Sequence, residues 1–224
     1  MKKLSRLELL EHLEHRGRMT DADCSGIQLA DRDLSGLVAE RSLFRDAHLD
    51  KTNLTRAGLS GSCLIDAHVS VANLTAADLS SADCTGADFS FSTLLGARCI
   101  KTVFSGADLS VAHCGAADFS EADFTNARLR QADCSAALFR NARLSGAIAF
   151  AASFAGADLT GADLSGADLS KADFTAAILR GANLHGADLV QASFIGADLT
   201  GADMTDARTS GTDFSRAEML DIKR

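Results

Sequence analysis

Residues 157–170 read ADLTGADLSGADLS: a five-residue unit, A-D-L-[ST]-G, iterated almost without error. Anchored on its large apolar residue, the unit places Leu159, Leu164 and Leu169 five apart. Stepping outward by fives reaches Phe174, Leu179, Leu184 and Leu189 on one side and Phe154, Leu144, Phe139 and Cys134 on the other. The register holds from Cys24 to Met219, forty units with no inserted or deleted residue. Only Ala39, Ala149 and Thr209 leave the centre without a large apolar, Cys or Met side chain. The position two residues earlier is small almost throughout, as at Ala157, Ala162, Ser92 and Thr102, with Ile27, Arg32 and Leu37 as exceptions near the start.

A period of five fits neither the 3.6 of a helix nor the 2.0 of a strand. Held for this long it marks a repeat architecture. Each unit has one large and one small side chain to bury and three residues to show to water. A short extended piece followed by a tight turn achieves this. Successive units then coil round a common axis, and the backbone pairs with the coil above and below. Fifteen of the 18 glycines share one phase, among them Gly156, Gly161 and Gly166, which points to a turn position with positive φ. Ala76, Lys101 and Gln191 share that phase, so glycine is favoured there and not obligatory.

The pattern A-[DN]-[LF]-x-x, as in Ala157-Asp158-Leu159-Thr160-Gly161, resembles the pentapeptide-repeat proteins from residue 22 to about residue 219. The resemblance implies an all-β fold, a right-handed quadrilateral β-helix with four units per coil. Forty units would make about ten coils and, at roughly 4.8 Å per layer, a rod about 48 Å long.

Three segments are expected: an N-terminal amphipathic capping helix within 1–19, the solenoid over 20–219 and a C-terminal tail over 220–224. In the first, Leu4, Leu7, Leu10 and Leu13 recur at spacing three, Ser5 and Glu8 form a capping box, and Gly17 is a stop. Such a helix would close the open end of the stack, as terminal repeats need; a partner-binding helix is the alternative. The tail, with Met219, Leu220 and Ile222, would cap the other end or pair with another copy. The resemblance implies a homodimer formed through that end.

Pro, Trp and Tyr are absent, and the net charge is −8. The first sixty residues balance ten acids against ten bases, so the excess comes from residue 61 onward. No stretch approaches the roughly 18 apolar residues of a membrane span. Arg6, Glu8 and Glu11 follow Lys2 and Lys3, which does not make a signal peptide. A cytoplasmic location is expected, with a secreted effector as the alternative. Cys24, Cys84, Cys99, Cys114 and Cys134 take the inward phase and read as buried, reduced thiols. Cys114 and Cys134 stack at about 4.8 Å, inside the ~4.4–6.8 Å window for a disulfide, but side chains in a parallel ladder would have to rotate to bond.

Catalytic chemistry is missing. The repeat explains the abundant Ser and Asp, and no His joins them at a defined site. His48 and His68 stack twenty apart, which is short of a metal-ligand set. A convex rod encloses no small substrate. No enzyme activity, cofactor, metal, membrane or direct nucleic-acid binding is expected. The expected function is a non-enzymatic scaffold that binds a protein partner through its faces. Phe91, Leu95, Ile100 and Val103 take outward phases and read as a candidate apolar contact patch. The alternative comes from the resemblance: some pentapeptide-repeat proteins mimic DNA, bind DNA gyrase and confer fluoroquinolone or toxin resistance. The candidate acidic face for that role is Asp118, Asp158 and Asp198 in one column and Asp123, Asp163 and Asp203 in its neighbour. Leu138 and Ile178 interrupt the first column, and Arg143 and Asn183 the second. The acids recur every second coil, about 9.6 Å apart, against about 3.4 Å between phosphates of a DNA strand.

Overall fold

In a computed structural model, residues 2–3, 8–9 and 18–224 are described. Their backbone is a β-helix in which every fifth residue forms a parallel bridge with the residue twenty further on, from Arg18↔Val38 to Asp203↔Lys223. A register of twenty with a unit of five puts four units in each coil.

The unit Asp163–Ala167 shows why this sequence takes this path. Asp163 N–H donates to the Ala142 carbonyl of one neighbouring coil (2.9 Å), and Leu164 N–H to Asn183 of the other (2.7 Å). Gly166 N–H reaches the His185 carbonyl (2.9 Å), and Ala167 N–H closes the turn onto Leu164 (3.1 Å). The remaining amide, Ser165 N–H, donates to Oδ1 of Asp163 (3.1 Å). All five donors are satisfied without a conventional sheet. The turn requires a left-handed third residue. Every fifth residue from Asp21 to Asp221 is left-handed, with φ between 51° and 72°. Glycine is therefore preferred there, and Gly166 sits at φ +62.

The central residue of each unit points inward, and the small residue two positions earlier lies beside it. Both are buried along almost the whole rod. Phe154, Phe174, Phe194 and Phe214 form the interior ladder their spacing predicts, with centroids 5.0, 4.7 and 5.3 Å apart. Where Ser or Thr takes the small position, its hydroxyl finds a carbonyl: Thr52 donates to Leu49 (2.6 Å) and Thr102 to Leu79 (2.7 Å). All six cysteines are free. Burial drives the Cys24 thiol up to about 12 and raises Cys84 and Cys99 as well.

At the N-terminal end, β1 (Lys2–Lys3) pairs in parallel with β2 (Ala22–Asp23), also twenty residues on. The expected capping helix, with Leu4, Leu7, Leu10 and Leu13, lies outside the described residues. Of the segment's residues that are described, Glu8 and Leu9 carry helical backbone, and two residues do not establish a helix. Leu9, not part of the leucine stripe read from the sequence, is fully buried. Pairing also continues past 219: Gly201 N–H donates to Leu220, and Met204 N–H to Lys223 (both 2.8 Å). The last coil leaves Phe214, Met219 and Ile222 only partly buried. No helix among the described residues is long and apolar enough to cross a membrane.

Candidate protein-binding faces

The bridging residue of each unit points outward, and the register sorts these residues into four columns. One runs Asp118, Leu138, Asp158, Ile178, Asp198; its neighbour runs Asp123, Arg143, Asp163, Asn183, Asp203. The acidic residues named from the sequence therefore stack as expected. Their carboxylates are not free. Each uses Oδ1 to accept the amide two residues on: Ser120 for Asp118, Thr125 for Asp123, Thr160 for Asp158, Ser165 for Asp163, Thr200 for Asp198 and Thr205 for Asp203. The consensus aspartate is thus a turn cap. Asn53, Asn73 and Asn183 make the same bond with their amide oxygens.

Most of these acids are also paired with a cation or an amide. Arg140 Nε donates to Asp158 Oδ2 (2.6 Å), and Arg180 Nε contacts Asp198 in the same way. These two pairs run diagonally, to a residue eighteen positions on. Arg143 lies 3.6 Å from Asp123 and Lys223 3.3 Å from Asp203, while Asn183 Nδ2 donates to Asp163 (3.0 Å). The Asp158 and Asp198 side chains retain only 13% and 14% of their exposure. Burial opposes ionisation at both, yet the threonine two residues on and then the arginine hold each carboxyl below the usual range. The Thr205 hydroxyl and amide, with Lys223, hold Asp203 at about 2. Among the described residues, Asp118 is the one acid of the six with neither an ion pair nor an amide partner of this kind.

The apolar residues are distributed differently. Phe91, Leu95, Ile100 and Val103 occupy successive corners and faces round more than half of one coil. Val103 bridges Asp83 and Asp123, and Phe91 and Leu95 flank the face centred on Thr93. What the register places beside Phe91 is Val71 and Val111, twenty residues either way, joined coil to coil by Val71 N–H→Ser90 O and Phe91 N–H→Ser110 O. All three sit at left-handed corners, with φ of 58°, 58° and 59°. Every other left-handed corner residue among those described is Gly, Ala, Ser or a longer polar side chain. Val71 and Phe91 are 53% and 58% exposed, and Leu95, on the next corner, is 44% exposed. Sequence reading had missed Val71 and Val111. Scanning the outward phases at a spacing of twenty finds them.

Among the described residues no group of three or more His, Cys, Asp or Glu could hold a metal. The His48 and His68 rings stack at 4.6 Å.

A four-sided β-helical rod with outward faces defines a repeat solenoid. The pentapeptide-repeat family model matches in eight copies, over residues 22–61, 33–70, 53–83, 72–110, 117–149, 152–191 and 177–216, and the chain belongs to that family, whose fold is a right-handed β-helix. HetL, a pentapeptide repeat protein involved in heterocyst differentiation regulation from the cyanobacterium Nostoc sp. strain PCC 7120, is 31% identical, covers 96% of this chain and 94% of its own, and superposes with a TM-score of 0.64. A pentapeptide repeat protein of the Arabidopsis thaliana thylakoid lumen is 32% identical over 44% of this chain and 65% of its own, with a TM-score of 0.37. Full-length QnrB1, a plasmid-mediated fluoroquinolone resistance protein, is 21% identical over 92% of this chain and 90% of its own, with a TM-score of 0.32. No curated protein sequence matches the chain. No enzymatic family is indicated.

Proposed function

We propose that this protein is a non-enzymatic scaffold that binds a protein partner through the faces of its rigid rod, in the cytoplasm. The observation that carries this is the row Val71, Phe91, Val111: three consecutive coils place apolar side chains at left-handed corners where bulk is costly, with Val71 and Phe91 exposed and Val111 half-buried. HetL is described as involved in regulation, and a role exerted through protein contact suits a rod of this kind. A second copy would pair at the partly exposed apolar end around Phe214 and Met219.

DNA mimicry directed at gyrase is the competing function. It needs a dense column of free carboxylates. Here the acids alternate with Leu138, Ile178, Arg143 and Asn183, and Arg140 and Arg180 cover two of them. Surface charge of that kind would steer gyrase weakly.

A supercoiling assay with purified gyrase, run across a salt series, separates the two functions. The expected result is no potent inhibition. Inhibition at low micromolar concentration that disappears when Asp118, Asp123, Asp158, Asp163, Asp198 and Asp203 are changed to Asn would overturn the scaffold in favour of the mimic. For the scaffold itself, proteins captured on the immobilised rod are purified and rebound to it. Stoichiometric rebinding supports the scaffold, and failure of every captured protein to rebind contradicts it.

A further inference from the structure

We infer that the face between the Phe91 corner and the Leu95 corner is the docking surface, and that its occupant is an amphipathic helix with a nearly uncharged apolar stripe, laid along the rod axis. This rests on the scaffold function proposed above and names the surface and the kind of partner.

Three observations select the face. First, the segments 70–76, 90–96 and 110–116, which stack as three successive coils of this side, contain no Asp, Glu, Lys or Arg. The coil on either side does: Lys51 and Arg56 lie before, and Arg130 and Asp133 after. Second, among the described residues Val71 and Val111 are the only β-branched residues at left-handed corners, and Phe91 is the only aromatic one. That all three share one column of neighbouring coils puts the backbone cost of this surface in one place. Third, Leu95 lies across Gly115. A Cβ at Gly115 would meet Leu95 Cδ2 at 3.2 Å, and Gly115 is not one of the left-handed glycines. Its missing side chain makes room for the leucine.

The geometry of the face selects the occupant. Apart from the turn residues Ser70, Leu95 and Gly115, the backbone amides of this side are spent within the rod, as in Leu94 N–H→His113 O (2.7 Å), so an added strand finds no continuous free edge here. Along the axis, side chains repeat at about 4.8 Å. A helix rises about 5.4 Å per turn, while same-face residues of a strand are about 6.6 Å apart. Over the two intervals from Val71 to Val111 a helix drifts by about 1 Å and a strand by almost 4 Å. Across the face, the four residue steps from Phe91 to Leu95 span at most about 13 Å, close to the 10–12 Å diameter of a helix with its side chains. The column Val71, Phe91, Val111 then acts as one rail, Leu95 lying across Gly115 as the opposite one, and Asn73, Thr93 and His113 as the polar floor between them. A surface without fixed charge disfavours a charged stripe, which would lose its hydration without gaining a counter-ion.

The test presents the intact protein with a displayed library of short natural protein segments. It is repeated with Phe91→Asp, a change the corner tolerates because Asp31 and Asp66 occupy equivalent positions. The expected result is enrichment of segments with apolar residues at i, i+3, i+4 and i+7 and few charges. Representative segments should gain helical circular dichroism on binding. They should lose about tenfold or more in affinity on Phe91→Asp and bind alike at about 0.1 and 0.5 M salt. A second variant, Phe91→Gly, should also weaken binding while raising the unfolding midpoint, since it releases the corner. Enriched segments of alternating pattern, or charged segments displaced by salt, would overturn the helix. Parent self-association broken by Phe91→Asp would make a second copy the occupant and overturn it too. Enrichment that survives Phe91→Asp moves the contact to another face and leaves the scaffold standing. Absence of any enriched segment sinks this surface, and only if captured proteins also fail to rebind does the scaffold fall with it.

Discussion

The coils built from residues 147–207 and those built from 70–116 share one backbone and differ in what they show to water. The first group is near-consensus: Asp caps the turn, Gly takes the corner, and Arg140 and Arg180 lace the acids together. The second keeps the same interior but exchanges the corner glycine for Val71, Phe91 and Val111 and carries no charge across one face. Consensus positions are explained by the fold. Departures that the fold does not need, and that cost backbone strain, are where binding is to be sought.

The largest effect belongs to the shared interior. Phe174 is fully buried between Phe154 and Phe194, so Phe174→Ala should cost about 3–5 kcal/mol through lost burial and a cavity. Chemical denaturation checks this; an unchanged midpoint would contradict the register. Corner substitutions come next and should have opposite signs in the two regions. Nothing lies within 4 Å of where a Cβ would stand on Gly166, yet its φ is +62. Gly166→Val should therefore destabilise by about 1–2 kcal/mol from backbone strain alone. Val111→Asn should stabilise by about 1 kcal/mol, because Asn accepts the left-handed region. Equal signs in the two unfolding curves would remove the strain from the account.

Acid should separate the regions as well. Asp133, Asp158, Asp198, Asp203 and Asp213 are all held below the ordinary carboxylate range. Their folded pKa lies below the unfolded one, so the stability they contribute is complete above about pH 4 and is lost as pH falls towards about 2, the value at Asp203. Hydrogen exchange at low pH should show protection lost first in the coils carrying these acids, and later in 70–116. The smallest effect is expected from the six Asp→Asn changes. Asn53, Asn73 and Asn183 already make the capping bond, so the neutral-pH unfolding midpoint should move little. A large drop would mean that the ion pairs, not the caps, hold these turns.

The period of five made the solenoid legible, down to the inward ladder at Phe174 and the column membership of Asp118, Asp158 and Asp198. Two things were hidden. The diagonal pairs Arg140–Asp158 and Arg180–Asp198 run to a residue eighteen positions on, one unit of side-chain reach away from the column partner at twenty, so a column count of acids overstates the free charge. Phe91, Leu95, Ile100 and Val103 are close in sequence, but a coil carries close residues round the rod and brings residues twenty apart together. Val71 and Val111 are the neighbours of Phe91 for that reason.

The most direct measurement is the affinity of a purified, rebound partner for three forms of the protein, namely the parent, Phe91→Asp and the six-Asn variant, at about 0.1 and 0.5 M salt. The expected result is a loss of about tenfold or more for Phe91→Asp, with the parent and the six-Asn variant alike at both salts. Binding that falls steeply with salt and vanishes in the six-Asn variant, while Phe91→Asp binds normally, would contradict it.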